Sequence, residues 1–184
     1  MKMTYTTKPS LNVSTGPSGR AMAEPMQAEL VEALLQHLTM ERNASAQYFG
    51  ISLWFAEREL RGFSSFFKKE ATTEQEHAST FSEYLIARGQ TVLLQELVAP
   101  KQDWDDIQEI FEASFRMEAD VTTSLHQLYA TAERESDYRT NVFLDPIIEG
   151  QTTSEDEFAY LLGKVKFSQE QPAALLIIDG ELKG

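Results

Sequence analysis

Four stretches of this chain, each roughly thirty residues long, carry their apolar side chains at alternating steps of three and four. That spacing marks one face of an α-helix. The first stripe holds Leu34, Leu38, Glu41, Ser45, Tyr48, Ser52 and Phe55. The second holds Phe63, Phe67, Glu70, Glu74, His77, Phe81 and Tyr84, and fades near Gly89. Phe111, Phe115, Glu118, Thr122, Leu125 and Tyr129 form the third; Ile147, Gln151, Ser154, Phe158, Leu161 and Val165 form the fourth. Helices of that size, about 45 Å at ~1.5 Å per residue, are longer than ordinary globular helices. Each needs an apolar partner along its whole length, and a four-helix bundle supplies one.

The punctuation between stripes sets the connections. Pro25 suits the first turn of helix one, where its missing N–H is not needed. Tight joints near 57–61 and 133–136 predict antiparallel hairpins, with Ser136-Asp137 starting the fourth helix. Residues 90–103 are long enough to run the length of the bundle. They end in Ala99-Pro100 and a cap candidate, Asp103, with Asp106 three residues later. Pro146 predicts a kink, or the end of a first segment, in helix four. Pro172 opens a short fifth helix to about Leu182, and no alternating strand pattern is evident. The expected fold is all-α: a four-helix bundle with a long crossover connection and a short fifth helix. Residues 1–20, rich in Ser, Thr, Gly and Pro and free of acids, read as a flexible arm before a single domain over 21–184.

Charge and composition remove other classes. With 29 acidic against 16 basic residues and a net charge of −13, the chain offers no clustered cations for nucleic-acid phosphates. Zero cysteines exclude disulfides, thiolate-held zinc and iron–sulfur clusters. No apolar run approaches the ~20 residues that span a bilayer, and no apolar leader is visible. The expectation is a cytoplasmic protein with neither a membrane nor a nucleic-acid partner.

The residues that break the stripes point to chemistry. Glu41 sits between Leu38 and Tyr48, Glu74 and His77 between Phe67 and Phe81, Glu118 between Phe115 and Leu125, and Gln151 between Ile147 and Phe158. A carboxylate turned into a core must be protonated, ion-paired or bound to a cation. No Lys or Arg shares these stripes, so a cation is the expected partner. Oxygen-rich ligation with one imidazole suits iron, manganese or zinc. The Glu74-x-x-His77 spacing puts both side chains on one face, and bridging carboxylates would neutralise two cations. That spacing is common by chance; its coincidence with inward Glu41 and Glu118 on two other helices is specific.

These residues resemble those of the ferritins over nearly all of 21–184. Glu41 followed seven residues later by Tyr48, Glu74-Gln75-Glu76-His77, Met117-Glu118-Ala119 and Gly150-Gln151 carry the similarity. Phe143-Leu144-Asp145-Pro146 and Ser154-Glu155-Asp156-Glu157-Phe158 look like a cyanobacterial ferritin in particular. The resemblance implies a homo-oligomeric shell of twenty-four subunits. It also implies oxidation of Fe(II) by dioxygen at an intrasubunit dinuclear iron centre and storage of ferric mineral. Glu41 and His77 then match ligands of the first iron, Glu74 the bridging carboxylate and Glu118 a ligand of the second. Tyr48 matches a phenol beside the ligands, and Gln151 an amide near the second iron. Gly150, Ser154 and Thr73 stand where many prokaryotic relatives carry acids for a third iron, so the centre is closer to the animal heavy-chain type. Glu149 and Glu155 are the nearby acids that could compensate. A bacterioferritin would need a second Glu-x-x-His on helix four, which is missing.

Two other readings remain open at this point: a dinuclear-iron oxidase of an organic substrate, and a helical assembly protein with a vestigial metal site. Among secondary residues, Glu70 is a candidate mobile gate one turn before Glu74, against a plain hydrogen bond to Tyr or Ser. Asp145, then Asp137, are candidates for the iron entrance, because the usual heavy-chain channel positions are Asn141 and Leu144. His37 lies four residues before Glu41 and could reach the site, although a capped or solvent-facing side chain is the expectation. His126 is expected at the surface, and Trp54 and Trp104 in packing.

Overall fold

The computed structural model describes residues 13–169 and 171–182. Five helices follow in order: α1 Ala28–Ala56, α2 Arg61–Ala87, α3 Ile107–Arg134, α4 Tyr138–Ser168 and α5 Pro172–Glu181. The expected four-helix bundle with a short fifth helix is therefore present. α1 and α3 run antiparallel, with His37 beside Ser124, Tyr48 beside Glu118 and Phe55 beside Phe111. α2 and α4 are likewise antiparallel, with Phe81 against Phe143 and Phe66 against Phe158.

α1, α2 and α3 end in the same turn, with Glu59, Gly89 and Ser136 in the left-handed region. After α2, Gln90 N–H donates to Leu85 O and Gly89 N–H to Ile86 O, the double bond that closes a helix end. A side chain at Gly16 would strike Gly89 O, and Ser18 Oγ donates to that same carbonyl at 2.9 Å. Gly16 lies between two short antiparallel strands, β1 Ser14–Thr15 and β2 Ala21–Met22. This hairpin departs from the expected strand-free reading; two residue pairs are too few to show alternation. The first twelve residues of the expected arm lie outside the described residues.

The crossover occupies 88–106 and is pegged to α1 by side chains. Arg42 donates to Gln95 O, Asn43 Oδ1 accepts from Val98 N–H, and Gln47 both donates to Lys101 O and accepts from Lys101 N–H. These bonds hold nineteen residues without regular structure against one helix. Two boundaries differ from expectation. Asp106, not Asp103, caps α3, accepting from Glu109 N–H. α4 runs through Pro146 as one helix, so Pro146 does not end a first segment there. Pro146 and Val142 are exposed, so the carbonyl that loses its partner faces water.

The core divides into two clusters. One, toward α5, is aromatic, with Tyr48, Phe55, Phe63, Phe67, Phe111 and Phe158. The other is largely aliphatic, with Leu30, Leu34, Leu38, Leu85, Leu125 and Leu144. α5 locks to the first through Asp179, whose Oδ1 accepts from Gly62 N–H and Phe63 N–H at the start of α2. That start has no side-chain cap of its own, and a Cβ at Gly62 would collide with Asp179 O.

Candidate metal centre

Between the clusters lies one polar layer. On each helix it falls where the stripe passes from aromatic to aliphatic: Glu41 between Ala44 and Leu38, Glu74 between Ala71 and Ala78, Glu118 just before Val121. Glu41, Glu74, Glu118 and Gln151 are all buried, and His77 is half-buried. Glu41, Glu74 and His77 each offer one ligand atom within 4.8 Å of the others, a group able to hold a metal ion. His77 Nδ1 lies 2.9 Å from Glu74 Oε2 and 3.9 Å from Glu41 Oε2.

Glu118 is held differently. Tyr48 donates a hydrogen bond to its Oε1, while Gln151 Nε2 donates to its Oε2 at 2.9 Å and to its main-chain carbonyl at 3.1 Å. Tyr48 is itself fixed by stacking on Phe158, 5.4 Å between ring centres. The four helices thus bring together five of the residues expected at the site, with Tyr48 as the sixth.

Burial without a compensating cation dominates the electrostatics. It raises Glu41 and Glu118, and pushes Glu74 up to about 7, where the neighbouring Glu41 carboxylate adds to the effect. The hydrogen bond to Glu74 lifts His77 to about 9, with the Glu74 and Glu41 charges adding to it. A metal ion among them reverses these preferences, because it stabilises the ionised carboxylates and the neutral imidazole. The donor set fits such an ion. Glu41 Oε2 is buried without a hydrogen-bond partner, a cost that a bound cation would relieve.

Thr73, Gly150 and Ser154, with Glu41, His77 and Phe81, line a cavity of about 270 Å³ beside this group. The three expected third-iron positions therefore face the centre and carry no acid. Of the two acids weighed as compensation, Glu149 is exposed and Glu155 accepts a hydrogen bond from Thr122. Glu70 is buried one turn from Glu74, and its closest cation is Lys69, at 3.9 Å. Burial first, then the Glu157 charge, pushes it up to about 7.

Other expectations separate here. Asp145 is exposed, away from the centre, in a surface groove with His126, Tyr129 and Glu133, and its charge raises the Tyr129 phenol. His126 is exposed, as expected. Asp137 is not available as an entrance, because it caps α4 and forms a two-pronged ion pair with Arg88, 2.8 Å on each prong. Asn141 and Leu144 are buried. Trp54 packs in the core under Arg58.

His37 overturns its expectation. It is 1% exposed, its Nδ1 lies 2.7 Å from Ser124 Oγ, and its Nε2 lies 2.9 Å from Glu41 Oε1. Desolvation drives its pKa down to about 4, so the ring is neutral near pH 7. The i,i+4 relation to Glu41 was the available signal. Ser124 is invisible to sequence reasoning, since it belongs to another helix.

A bundle of four long helices with buried carboxylates and a histidine at its waist defines a class of helical metal-binding proteins. The ferritin-like domain matches residues 31–168, and the chain belongs to the ferritin family, as a non-haem ferritin. The bacterial non-heme ferritin of Staphylococcus epidermidis is 31% identical, over 72% of this chain and 82% of that protein. That of Campylobacter jejuni is 28% identical, over 84% and 93%. Among solved structures, an open pore ferritin from the hyperthermophilic archaeon Archaeoglobus fulgidus superposes with a TM-score of 0.83 at 28% identity, covering 85% of this chain and 97% of that one. Family membership assigns the chain to iron binding and iron storage. No helix among the described residues is long and apolar enough to cross a membrane.

Proposed function

We propose that the chain is a ferroxidase: it binds two Fe(II) as substrates, passes their electrons to dioxygen, and delivers Fe(III) for storage as mineral inside a cytoplasmic shell of twenty-four identical subunits. The observation that carries this reading is the group of buried Glu41 and Glu74 with half-buried His77, in which one Glu41 oxygen accepts no hydrogen bond and, among the described residues, no Lys or Arg lies within salt-bridge distance.

In this reading Glu41, Glu74 and His77 take the first iron. Glu118 takes the second, with Gln151 beside it. Glu74 would serve both irons, so that two one-electron donors would be held side by side and dioxygen could accept two electrons together. His77 must give up the proton that its contact with Glu74 holds, and because the ring is half-exposed that proton can leave to solvent while Glu74 stays ionised for the cations. Tyr48 holds the Glu118 carboxylate until the second iron competes for it. Glu70, one turn outside this group, serves as a movable carboxylate between the centre and the cavity of the shell.

Titrating the protein with Fe(II) in air tests this. About two irons per subunit oxidise rapidly, and hundreds more are then retained in a size-excluded shell that stains for iron. Rapid turnover of an added organic substrate without mineral retention would overturn it in favour of an oxidase. Retention of neither iron nor oxidation activity would leave a structural assembly protein.

A further inference from the structure

We propose that His37 is a positioning residue of the metal centre: it stands against one oxygen of Glu41 and so favours the other for presentation to the cation. The two oxygens of Glu41 have different surroundings. Oε1 lies 2.9 Å from His37 Nε2. Oε2 is buried and unpaired, on the side of His77 Nδ1 at 3.9 Å. A carboxylate only accepts, so a proton on the imidazole nitrogen facing it is the favourable tautomer. The other nitrogen, Nδ1, then accepts from the Ser124 hydroxyl at 2.7 Å.

The ring is held from three helices. It is carried by α1, meets Ser124 of α3, and packs on Phe81 of α2 with ring centres 4.5 Å apart. With 1% of His37 exposed, no water competes for its nitrogens. His37 Nε2 is not aligned for a straight hydrogen bond to Glu41, and it too has no other partner. A slight turn of the carboxylate, which a cation drawing on Oε2 would produce, can improve that contact. His37 therefore acts on Glu41 as the outer partners of metal ligands do elsewhere: it orients the ligand without touching the ion.

This inference rests on the reading of Glu41, Glu74 and His77 as a cation site, and the test separates the two. Co(II) is titrated anaerobically into the assembled protein, following its visible absorption, for the native chain and for His37→Leu, His37→Gln, Ser124→Ala and His77→Ala. His37→Leu keeps an apolar volume but removes the donor, and should weaken the first Co(II) by about 10- to 100-fold. His37→Gln restores an N–H toward Glu41 and should recover most of that loss. Ser124→Ala should shift affinity in the same direction by a smaller factor, with helix content and shell size as in the native protein. If native protein and His77→Ala bind Co(II) equally weakly, the site reading fails. If the native protein binds tightly and His37→Leu matches it, the His37 assignment fails. Should His37→Leu not fold, native-like affinity in Ser124→Ala, or a Gln variant as weak as His77→Ala, overturns it.

Discussion

The two halves of the polar layer each centre on a buried glutamate, Glu41 in one and Glu118 in the other, and are prepared in opposite ways. On the α1–α2 side, Glu41 keeps an unpaired oxygen beside a Glu74–His77 pair. On the α3–α4 side, both oxygens of Glu118 already accept, from Tyr48 and from Gln151. A carboxylate with an orphaned oxygen gains a full interaction when a cation arrives, whereas one with two donors must exchange a hydrogen bond for a metal bond. The first half is poised to bind and the second to bind later. In the proposed dinuclear centre, such halves would fill in order.

The largest effects should come from removing the shared ligand. Glu74→Ala is expected to abolish rapid oxidation and tight binding of both cations. Glu118→Ala is expected to abolish rapid oxidation while one cation per subunit still binds. Anaerobic Co(II) stoichiometry distinguishes these outcomes, and equal losses in the two variants would erase the proposed difference between halves.

Protons should separate the halves next. His77 must lose the proton that its contact with Glu74 holds up to about 9, so first-cation affinity should rise roughly tenfold per pH unit as pH approaches that value. Calorimetric titration at pH 7 and pH 8 measures it, and a flat profile would contradict the assignment. Metal-free stability should move the other way. Glu70 and Glu74 keep protons up to about pH 7 that an unfolded carboxyl, near 4.5, has already released. Stability therefore falls as pH rises from about 4.5 to about 7, and an added divalent cation should remove that slope.

Tyr48→Phe acts on the second half alone. Leaving Glu118 short of a buried donor should lower cation-free stability by about 1–3 kcal/mol in urea unfolding. The freed oxygen should also tighten binding of the second cation; weaker binding would mean that Tyr48 orders the site rather than competes for it. Outside both halves, Glu70→Ala should preserve the binding of both cations and slow repeated turnover several-fold. Unchanged multiple-turnover kinetics would end its role as a gate. The smallest effect is expected from Asp145→Ala, which should slow oxidation only at limiting Fe(II) and leave stoichiometry intact. An unchanged rate there would place the entrance elsewhere.

Much of this was legible along the chain because periodicity and burial are local properties. A stripe of leucines and phenylalanines commits a helix face to the core, and a carboxylate on that stripe must go with it. That is how Glu41, Glu74 and Glu118 were found. Boundaries were less legible, since Asp103 and Asp106 have equal capping chemistry and only the packed start of α3 selects the second. Whether Pro146 ends its helix is likewise undecided along the chain. Its effect depends on whether the orphaned carbonyl meets water, which the helix's placement decides.

By itself, then, the sequence determined four long amphipathic helices, their connections, and the polar residues that had to be buried together. Those follow from spacing and from the free energy of removing apolar surface from water. Tertiary structure alone decided how those polar atoms were shared out. Tyr48 and Gln151 went to Glu118, Asp137 to Arg88, and Ser124 to His37. Each of these choices depends on distances of a few ångströms between helices remote in the chain. Hydrogen bonding is directional and short-ranged, so no linear pattern encodes which partner a buried oxygen will find.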